Sequence, residues 1–517
     1  MLVEEFLESS ARRFPGKTAL ICGDRRLTYG EVEEQCNRLA HGLIGLGVER
    51  GDRVIVFMEN SVEAVLSIIA TLKAGGVFVV VNPTTKAEKL AYVIRDSGAR
   101  VLITQSSKLR IIEDEWRGMP NLNTVVFHGG TPPAGGQATG GCVPLEDLLS
   151  RYERYGYPPE KKCIDIDLAA LIYTSGSTGH PKGVTVTHLN IVSAATSITT
   201  YLENSPTDVI LNVLPLSFDY GLYQMLMALK VGATLVLERS FVYPHAVVER
   251  MIKENVTGFP VVPTIVAILL QLDVAKYRFP SLRYLTNTAA VLPTPHISKL
   301  RQIFPHVKIF SMYGLTECKR VAYLPPEQVD IRPTSVGKAM PNVEAYVVDD
   351  QGRLPPGKVG ELVVRGSNVM KGYWGMPEET RKMLRPDPVS GEIVLYTGDQ
   401  FRMDEEGYLY FVGRTDHIIK TRGEKVSPRE IENVLCSLEG VVEAAVIGVP
   451  DPILGQAVKA VVTVKEGAQL TPQDVLRHCA RHLEDFMVPK VVEIRDHLPT
   501  TPTGKVNQRE LMSPAGQ

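Results

Sequence analysis

Short apolar runs rich in β-branched residues punctuate the first quarter of the chain, at Arg53 to Phe57, Val77 to Val81, Val101 to Thr104 and Thr124 to Phe127. Between them, Val62 to Ala74 and Lys86 to Ser97 carry apolar side chains at helical spacing. Strand and helix alternating in this way predict a parallel α/β sheet, since parallel strands need a crossover connection that is usually a helix. After a buried strand at Leu168 to Tyr173 the rhythm resumes, with strands at Val209 to Leu214, Thr234 to Leu237, Gly258 to Val262 and Lys308 to Ser311 separated by helices. The stretch Gly129 to Gly141 has too few large apolar residues to pack and reads as a surface loop that tolerates insertion.

The texture changes from about Ala345. Short strands with turns at Asp349-Asp350-Gln351-Gly352 and Pro355-Pro356-Gly357 predict a small β subdomain. It changes again beyond Arg414, where Pro428 to Leu438 and Thr471 to Leu483 are helical and Val441 to Val449 and Ala457 to Val464 read as strands. The expectation is an α/β protein with a large N-terminal domain, residues 1–415, of parallel-rich sheets with helices plus the small β subdomain. A small mobile α+β domain, residues 416–517, follows a hinge near Asp416.

Composition narrows the function. The 517 residues exceed what one hydrophobic core usually serves, and 44% of them are apolar. With 56 basic and 58 acidic side chains the net charge is −2, so no field gathers nucleic acid or an anionic membrane, and small-molecule chemistry is favoured. The seven cysteines are scattered without a CxxC pair, which argues against a disulfide framework or a zinc site and fits a reducing cytoplasm. The first fourteen residues read as an amphipathic helix and not a signal peptide, and no apolar run is long enough to span a membrane.

The most informative segment is Tyr173 to Gly183, YTSGSTGHPKG. Glycines at 176, 179 and 183 let backbone N–H groups approach an anion, Thr174, Ser175, Ser177 and Thr178 add hydroxyl donors, and Lys182 supplies fixed charge. These are the parts of a polyphosphate cradle, although the P-loop pattern is missed: Pro181 precedes Lys182 and Gly183 follows it. A bare Gly/Ser stretch commonly marks only a loop, but four further motifs follow in order. Ser311 to Glu317, SMYGLTE, follows a strand with an aromatic plane for adenine at Tyr313, a hydroxyl for phosphate at Thr316, and at Glu317 a carboxylate for Mg²⁺. Asp399 ends Tyr396-Thr397-Gly398-Asp399 and suits two ribose hydroxyls. Gly413 to Glu424 and Pro502-Thr503-Gly504-Lys505 place cations on flexible backbone.

Taken together these motifs resemble those of the adenylate-forming superfamily: acyl- and aryl-CoA synthetases, nonribosomal peptide adenylation domains and firefly-type luciferases. The likeness runs from Leu27-Thr28-Tyr29-Gly30-Glu31 through Lys73-Ala74-Gly75-Gly76 to Lys505. It implies a cytoplasmic ligase that uses ATP and Mg²⁺ to make an acyl-adenylate with release of pyrophosphate. A thiol then takes the acyl group, either CoA, as in fatty acid metabolism, or a carrier-protein phosphopantetheine. By resemblance Lys505 is the adenylation cation, bridging the attacking carboxylate and the phosphate ester oxygen. Thr174, Ser175, Gly176, Ser177, Thr178, Gly179 and Lys182 hold β- and γ-phosphates, Glu317 the metal, and Asp399 with Arg414 the ribose. Tyr313 stacks on adenine, in a nucleotide site that also includes Met312, Gly314 and Thr316, with Ala289 and Ala290 where many relatives have a glycine-rich strand end. Asp416 is the hinge, next to His417 where many members have a second Asp. Rotation about it withdraws Lys505 and brings in Lys420 to Gly423, Gly423 leaving room for a pantetheine arm.

Phe218, Asp219 and Tyr220 fall where relatives place an aromatic gate and one wall of the acyl tunnel. Asp219 leaves two readings open. Directed away from the pocket and capped by backbone donors, it goes with a neutral acid and CoA, the reading preferred here. Directed inward, it binds the ammonium of an amino acid bound for a carrier protein. Lys319 and Arg320 read as a solvated loop, with recognition of a second substrate carboxylate as the alternative. A non-catalytic acyl- or adenylate-binding protein is a further alternative, against which Lys182, Glu317 and Lys505 together argue.

Overall fold

The structure, a computed structural model of the chain, describes residues 1–111, 119–130, 141–174, 181–272, 274–288, 292–387, 389–414, 419–421, 424–451, 454–483, 487–501 and 506–512. Two large sheets build its N-terminal part. In the first, the strands Thr18–Cys22, Thr234–Leu237, Val209–Asn212, Gly258–Val261, Tyr284–Asn287 and Lys308–Tyr313 lie side by side and parallel. In the second, Leu168–Thr174, Val77–Val80, Arg53–Phe57, Val101–Gln105, Thr124–His128 and Gly141–Pro144 are parallel, and Lys182–Thr187 is the antiparallel partner of Leu168–Thr174.

Helices fill the space between the sheets, and their sequences show it. Every residue of Val62–Lys73 is buried, as are eleven of the thirteen in Asp219–Val231, so neither helix presents a face to water. A helix apolar all round belongs inside a large core. One continuous core joins these helices to strand residues of both sheets, including Val54, Val56 and Phe78 on one side and Leu211, Leu235 and Ile309 on the other. The expected strands and helices of the sheets appear within one or two residues of their predicted bounds, and ends fray by about that much, while the N-terminal helix, expected over the first fourteen residues, spans Glu5–Arg13.

The short strands after Ala345 form as expected, but they do not stand apart. Ser335–Ala339 pairs with Leu409–Arg414, which carries the ladder on to Ile393–Met403, Val359–Gly366 and Val343–Asp349. The first sheet therefore runs unbroken from parallel to antiparallel, through the strand that bears the SMYGLTE motif.

The last hundred residues make a smaller α+β unit. Its sheet joins Glu424–Val426, Ile419–Thr421, Gly455–Val464, Val441–Asp451 and Val491–Arg495, with the helices Pro428–Ser437 and Pro472–His482 packed on one core. The helix Pro428–Ser437 touches Thr294–Ile303 and Leu409–Arg414, and so lies against the large domain. All seven cysteines are free thiols. Among the described residues no helix is long and apolar enough to cross a membrane.

Candidate active site

In open α/β sheets ligands gather beyond the carboxyl ends of parallel strands, and here Lys308–Tyr313 leads straight into a very tight turn. A Cβ on Gly314 would lie 2.1 Å from the Lys319 carbonyl oxygen, so only glycine fits. The Cys318 and Lys319 amides both donate to Leu315 O, and Lys319 takes φ +66°, a conformation costly for a side-chain-bearing residue. Asn368, fully buried, pins the turn by donating from Nδ2 to Cys318 O at 2.6 Å and Arg320 O at 2.9 Å, and the Met370 amide donates to Glu317 O.

Glu317 stands in this turn and accepts a hydrogen bond at 2.7 Å from the Tyr373 hydroxyl. Tyr373 belongs to the two-residue strand Gly372–Tyr373, which pairs with Lys182–Thr187 of the other sheet. Its ring also lies beneath Lys182, whose Nζ is 5.3 Å from the ring centroid. One tyrosine thus joins the phosphate-loop lysine to the carboxylate of the second motif. Burial, and then the Glu317 charge, push its hydroxyl pKa far upward, so it remains a donor.

The phosphate loop is the connection of an antiparallel pair, with Thr174 opposite Lys182 and Tyr173 opposite Gly183. Ser175, Gly176, Ser177, Thr178 and Gly179 lie outside the described residues. Lys182 pairs with Glu379 on the helix Pro377–Met383 at 2.5 Å, and hydrogen bonds from Lys182 and then Lys382 hold that carboxyl down at about 2.

On the other flank the Tyr313 hydroxyl donates to Asp399 Oδ2 at 2.6 Å. The Tyr313 ring packs edge-on against Phe401, centroids 4.8 Å apart, and beside Phe411. Asp399 faces Arg414 across the ladder, with Arg414 Nε 3.6 Å from Asp399 Oδ1 and the Arg414 side chain half exposed. Met312, Tyr313, Gly314, Thr316, Glu317, Asp399 and Arg414 are therefore brought together. Ala289, Ala290, Asp416, Gly423 and Lys505 lie outside the described residues, as does the side chain of Lys420.

Phe218 precedes the helix Asp219–Val231, half-buried and edge-on to Tyr220 at 6.2 Å. The Tyr220 hydroxyl bonds Thr286 on the neighbouring strand at 2.6 Å, fixing the helix start to the sheet. Asp219, 8% exposed, sits in the first helical turn, where the helix dipole favours a carboxylate. Lys319 and Arg320 do not form a solvated loop: they are 1% and 3% exposed. Sequence charge suggested solvent, but the Gly314 turn and the Asn368 clamp draw both side chains inward. Lys319 Nζ donates to Thr316 O at 2.6 Å. Burial lowers its pKa, against the charges of Asp219 and Glu317, which raise it.

Lys182, Tyr373 and Glu317 thus meet where the two sheets join, with Tyr313, Asp399 and Arg414 on the flank. The AMP-binding enzyme family model matches residues 7–374, and the AMP-binding enzyme C-terminal domain model matches 430–505. The chain belongs to the AMP-binding enzyme family. It is 30% identical over 519 residues to tyrocidine synthase 1 of Brevibacillus parabrevis, covering 99% of this chain and 45% of that protein. It is also 30% identical over 536 residues to a long-chain-fatty-acid–CoA ligase of Bacillus subtilis (strain 168), covering 99% and 94%. The chain thus spans less than half of the first relative and nearly all of the second. Among solved structures it resembles the anthranilate CoA ligase AuaEII in complex with anthranoyl-AMP, with TM-score 0.90, 28% identity and coverage of 99% and 96%.

Three contacts of this candidate site lie outside the sequence motifs: Tyr373, Asn368 and Glu379. Each acts on a residue at least fifty positions away. The one local signal was aromatic and polar residues between glycines at Gly366-Ser367-Asn368 and Gly372-Tyr373-Trp374.

Proposed function

We propose that this AMP-binding enzyme activates a carboxylic acid with ATP and passes the acyl group to CoA. The observation that carries the reading is the Lys182–Tyr373–Glu317 connection, which sets a phosphate-loop cation and a metal-type carboxylate on the two sides of one ring. In the first step a carboxylate oxygen attacks the α-phosphorus, and the phosphorus–oxygen bond to pyrophosphate breaks. In the second, a thiolate attacks the acyl carbon, the carbon–oxygen bond to AMP breaks, and AMP leaves with the electron pair.

Negative charge gathers in the first transition state, so fixed donors and cations lower its energy. Thr174 to Lys182 takes the β- and γ-phosphates, with Lys182 exchanging Glu379 for phosphate oxygens. Glu317 fits Mg²⁺ as a single carboxylate, since that ion commonly takes one or two protein carboxylates and completes its shell with phosphates and water. The metal, when bound, neutralises phosphate charge. Asp399 accepts from the ribose hydroxyls beside Arg414. Tyr313, tied to Asp399, fixes the adenine side of the site together with Met312, Gly314, Thr316, Ala289 and Ala290. Lys505 meets the attacking carboxylate.

Residues 1–415 are assigned to the nucleotide domain and 416–517 to the mobile one. Rotation about Asp416 exchanges Lys505 for the Lys420 to Gly423 segment before thiol attack. Phe218, Asp219 and Tyr220 bound the acyl side. The second reading, an amino acid loaded on a carrier protein, draws on Phe218-Asp219; the buried positive charge of Lys319 near Asp219 weighs against an ammonium there.

Pyrophosphate exchange measured over fatty, aryl and amino acids, followed by product analysis with CoA or a phosphopantetheinyl carrier protein, tests this. The expected result is exchange with a non-amino acid and an acyl-CoA product. Exchange with no acid overturns the ligase reading, and acylation of the carrier protein alone overturns the choice of CoA.

A further inference from the structure

Arg320 is buried next to the acyl wall in surroundings that leave its charge poorly met. It is 3% exposed, and among the described residues no carboxylate lies within ion-pair distance of it. Its Nη1 donates to Lys319 O at 3.2 Å and its guanidinium lies 5.1 Å over the Tyr220 ring, while its buried Nε has no hydrogen-bond partner. Lys319, the adjoining buried cation, makes no ion pair among the described residues either and relies on a backbone carbonyl and the more distant charges of Asp219 and Glu317. A buried guanidinium without a counter-ion is expensive, and a stacked aromatic ring offsets only part of the cost.

A second orphan lies close by. The Tyr223 side chain is 1% exposed, and its hydroxyl has no hydrogen-bond partner. Asp219 and Arg320 are the two charges it feels. Tyr223 stands four residues after Asp219 in the helix Asp219–Val231, so both lie on one face, with Tyr220, which stacks on Arg320, one turn before Tyr223. The backbone of the Arg320 turn is held rigidly by Asn368 and the Gly314 contact, so the guanidinium is presented from a fixed base. A planar fork donor on a rigid turn, beside an unsatisfied hydroxyl, suits a planar carboxylate.

We propose that Arg320 is a specificity-determining residue that receives a second carboxylate at the far end of the substrate, with the Tyr223 hydroxyl donating beside it. The substrate class is therefore a dicarboxylic acid, one end of which is activated. The proposal rests on the adenylate-forming reading above.

Pyrophosphate exchange with length-matched pairs separates the two ideas: succinate, glutarate, adipate and the benzenedicarboxylates against butyrate, valerate, hexanoate and benzoate. For at least one pair the diacid should show a kcat/KM about tenfold or more above the monoacid, the size of one charge-assisted hydrogen bond. In Arg320→Met, which keeps the length and the contact with Tyr220, that ratio should fall by about tenfold, and Arg320→Lys should restore part of it. Wild-type protein that favours the monoacid in every pair overturns the proposal while leaving the ligase reading intact. So does an unchanged ratio in Arg320→Met. Absence of exchange with every acid overturns both.

Discussion

The turn after Tyr313 and the C-terminal unit each carry a group that the resemblance assigns to the chemistry, Glu317 in one and Lys505 in the other, yet they are built in opposite ways. The turn is fixed at every level, by a glycine with no room for a Cβ, a buried asparagine on two of its carbonyls, and a tyrosine reaching across from the other sheet. The C-terminal unit is held to itself by a small core of Ile419, Val426, Ile431, Leu435, Val446, Val458 and their neighbours. Among the described residues it meets the large domain through Pro428–Ser437, which lies on both Thr294–Ile303 and Leu409–Arg414. A site that must bind one nucleotide through two steps gains from a rigid floor. A group needed in only one step gains from a separate body.

The sharpest way to break this comparison is to remove the cation assigned to the mobile side. Lys505→Ala should lower the rate of pyrophosphate exchange by about 10²–10³-fold, as loss of a preorganised transition-state donor commonly does, while ATP affinity changes little. Equilibrium nucleotide binding alongside exchange kinetics decides it, and near-normal exchange would withdraw the role from Lys505. The same separation predicts that Asp416→Pro, by fixing φ, suppresses thioester formation and leaves adenylation measurable. Equal loss of both half-reactions would refute the hinge.

Next in size is the clamp on the fixed side. Asn368→Leu leaves the carbonyls of Cys318 and Arg320 buried without their donor, at about 3 kcal/mol for the pair. Denaturant unfolding should show that loss in the large domain, with exchange falling as the Glu317 turn loosens. Stability equal to wild type would show that the turn holds itself.

The fold was legible wherever burial was continuous along the chain. Runs such as Arg53–Phe57 and Thr234–Leu237 are buried on both faces and so stay apolar after their first residue, without polar alternation. The joining of the late strands to the first sheet was not legible, because it depends on pairings such as Ser335 with Tyr410, which no local pattern encodes. In the site, motif residues could be read because loop glycines, hydroxyls and carboxylates carry their chemistry in their type. Tyr373 and Asn368 could not, since their roles exist only across the sheet boundary. Lys319 and Arg320 were misread for a physical reason: charged side chains are rarely buried, and only the turn geometry overrides that tendency.

A smaller effect tests the rigid side through pH. Glu4 lies 3.6 Å from His188 Nδ1, close enough for an ion pair if the ring were charged. The Val3 amide donates to that same nitrogen at 3.1 Å, and burial pushes the His188 pKa down to about 4, so the ring is neutral. Burial pushes Glu4 up from 4.5 to about 7. A carboxyl that binds its proton more tightly when folded gives stability that is complete below about pH 4.5 and lost as pH rises through 7. Glu4→Gln should therefore match wild type in acid and exceed it by roughly 2–3 kcal/mol above pH 7. Thermal melts across that range should diverge upward; parallel curves would mean that Glu4 keeps its charge by some other contact.

The finest distinction uses one device that both units employ. Thr187 caps the helix His188–Tyr201 in the large domain and Thr471 caps Pro472–His482 in the small one, each in a reciprocal capping box with the residue three positions on. Removing either hydroxyl should cost about 1 kcal/mol. If the two bodies unfold separately, Thr471→Ala shifts only the transition of the C-terminal unit and Thr187→Ala only that of the large domain. On the proposed mechanism, adenylation should be less sensitive to the first than to the second at temperatures below both transitions, because a slightly weakened C-terminal unit is still folded there. A single transition displaced equally by both substitutions would mean that the few helix contacts between the units couple them into one cooperative body, and a rigid floor with a detachable partner would no longer describe the molecule.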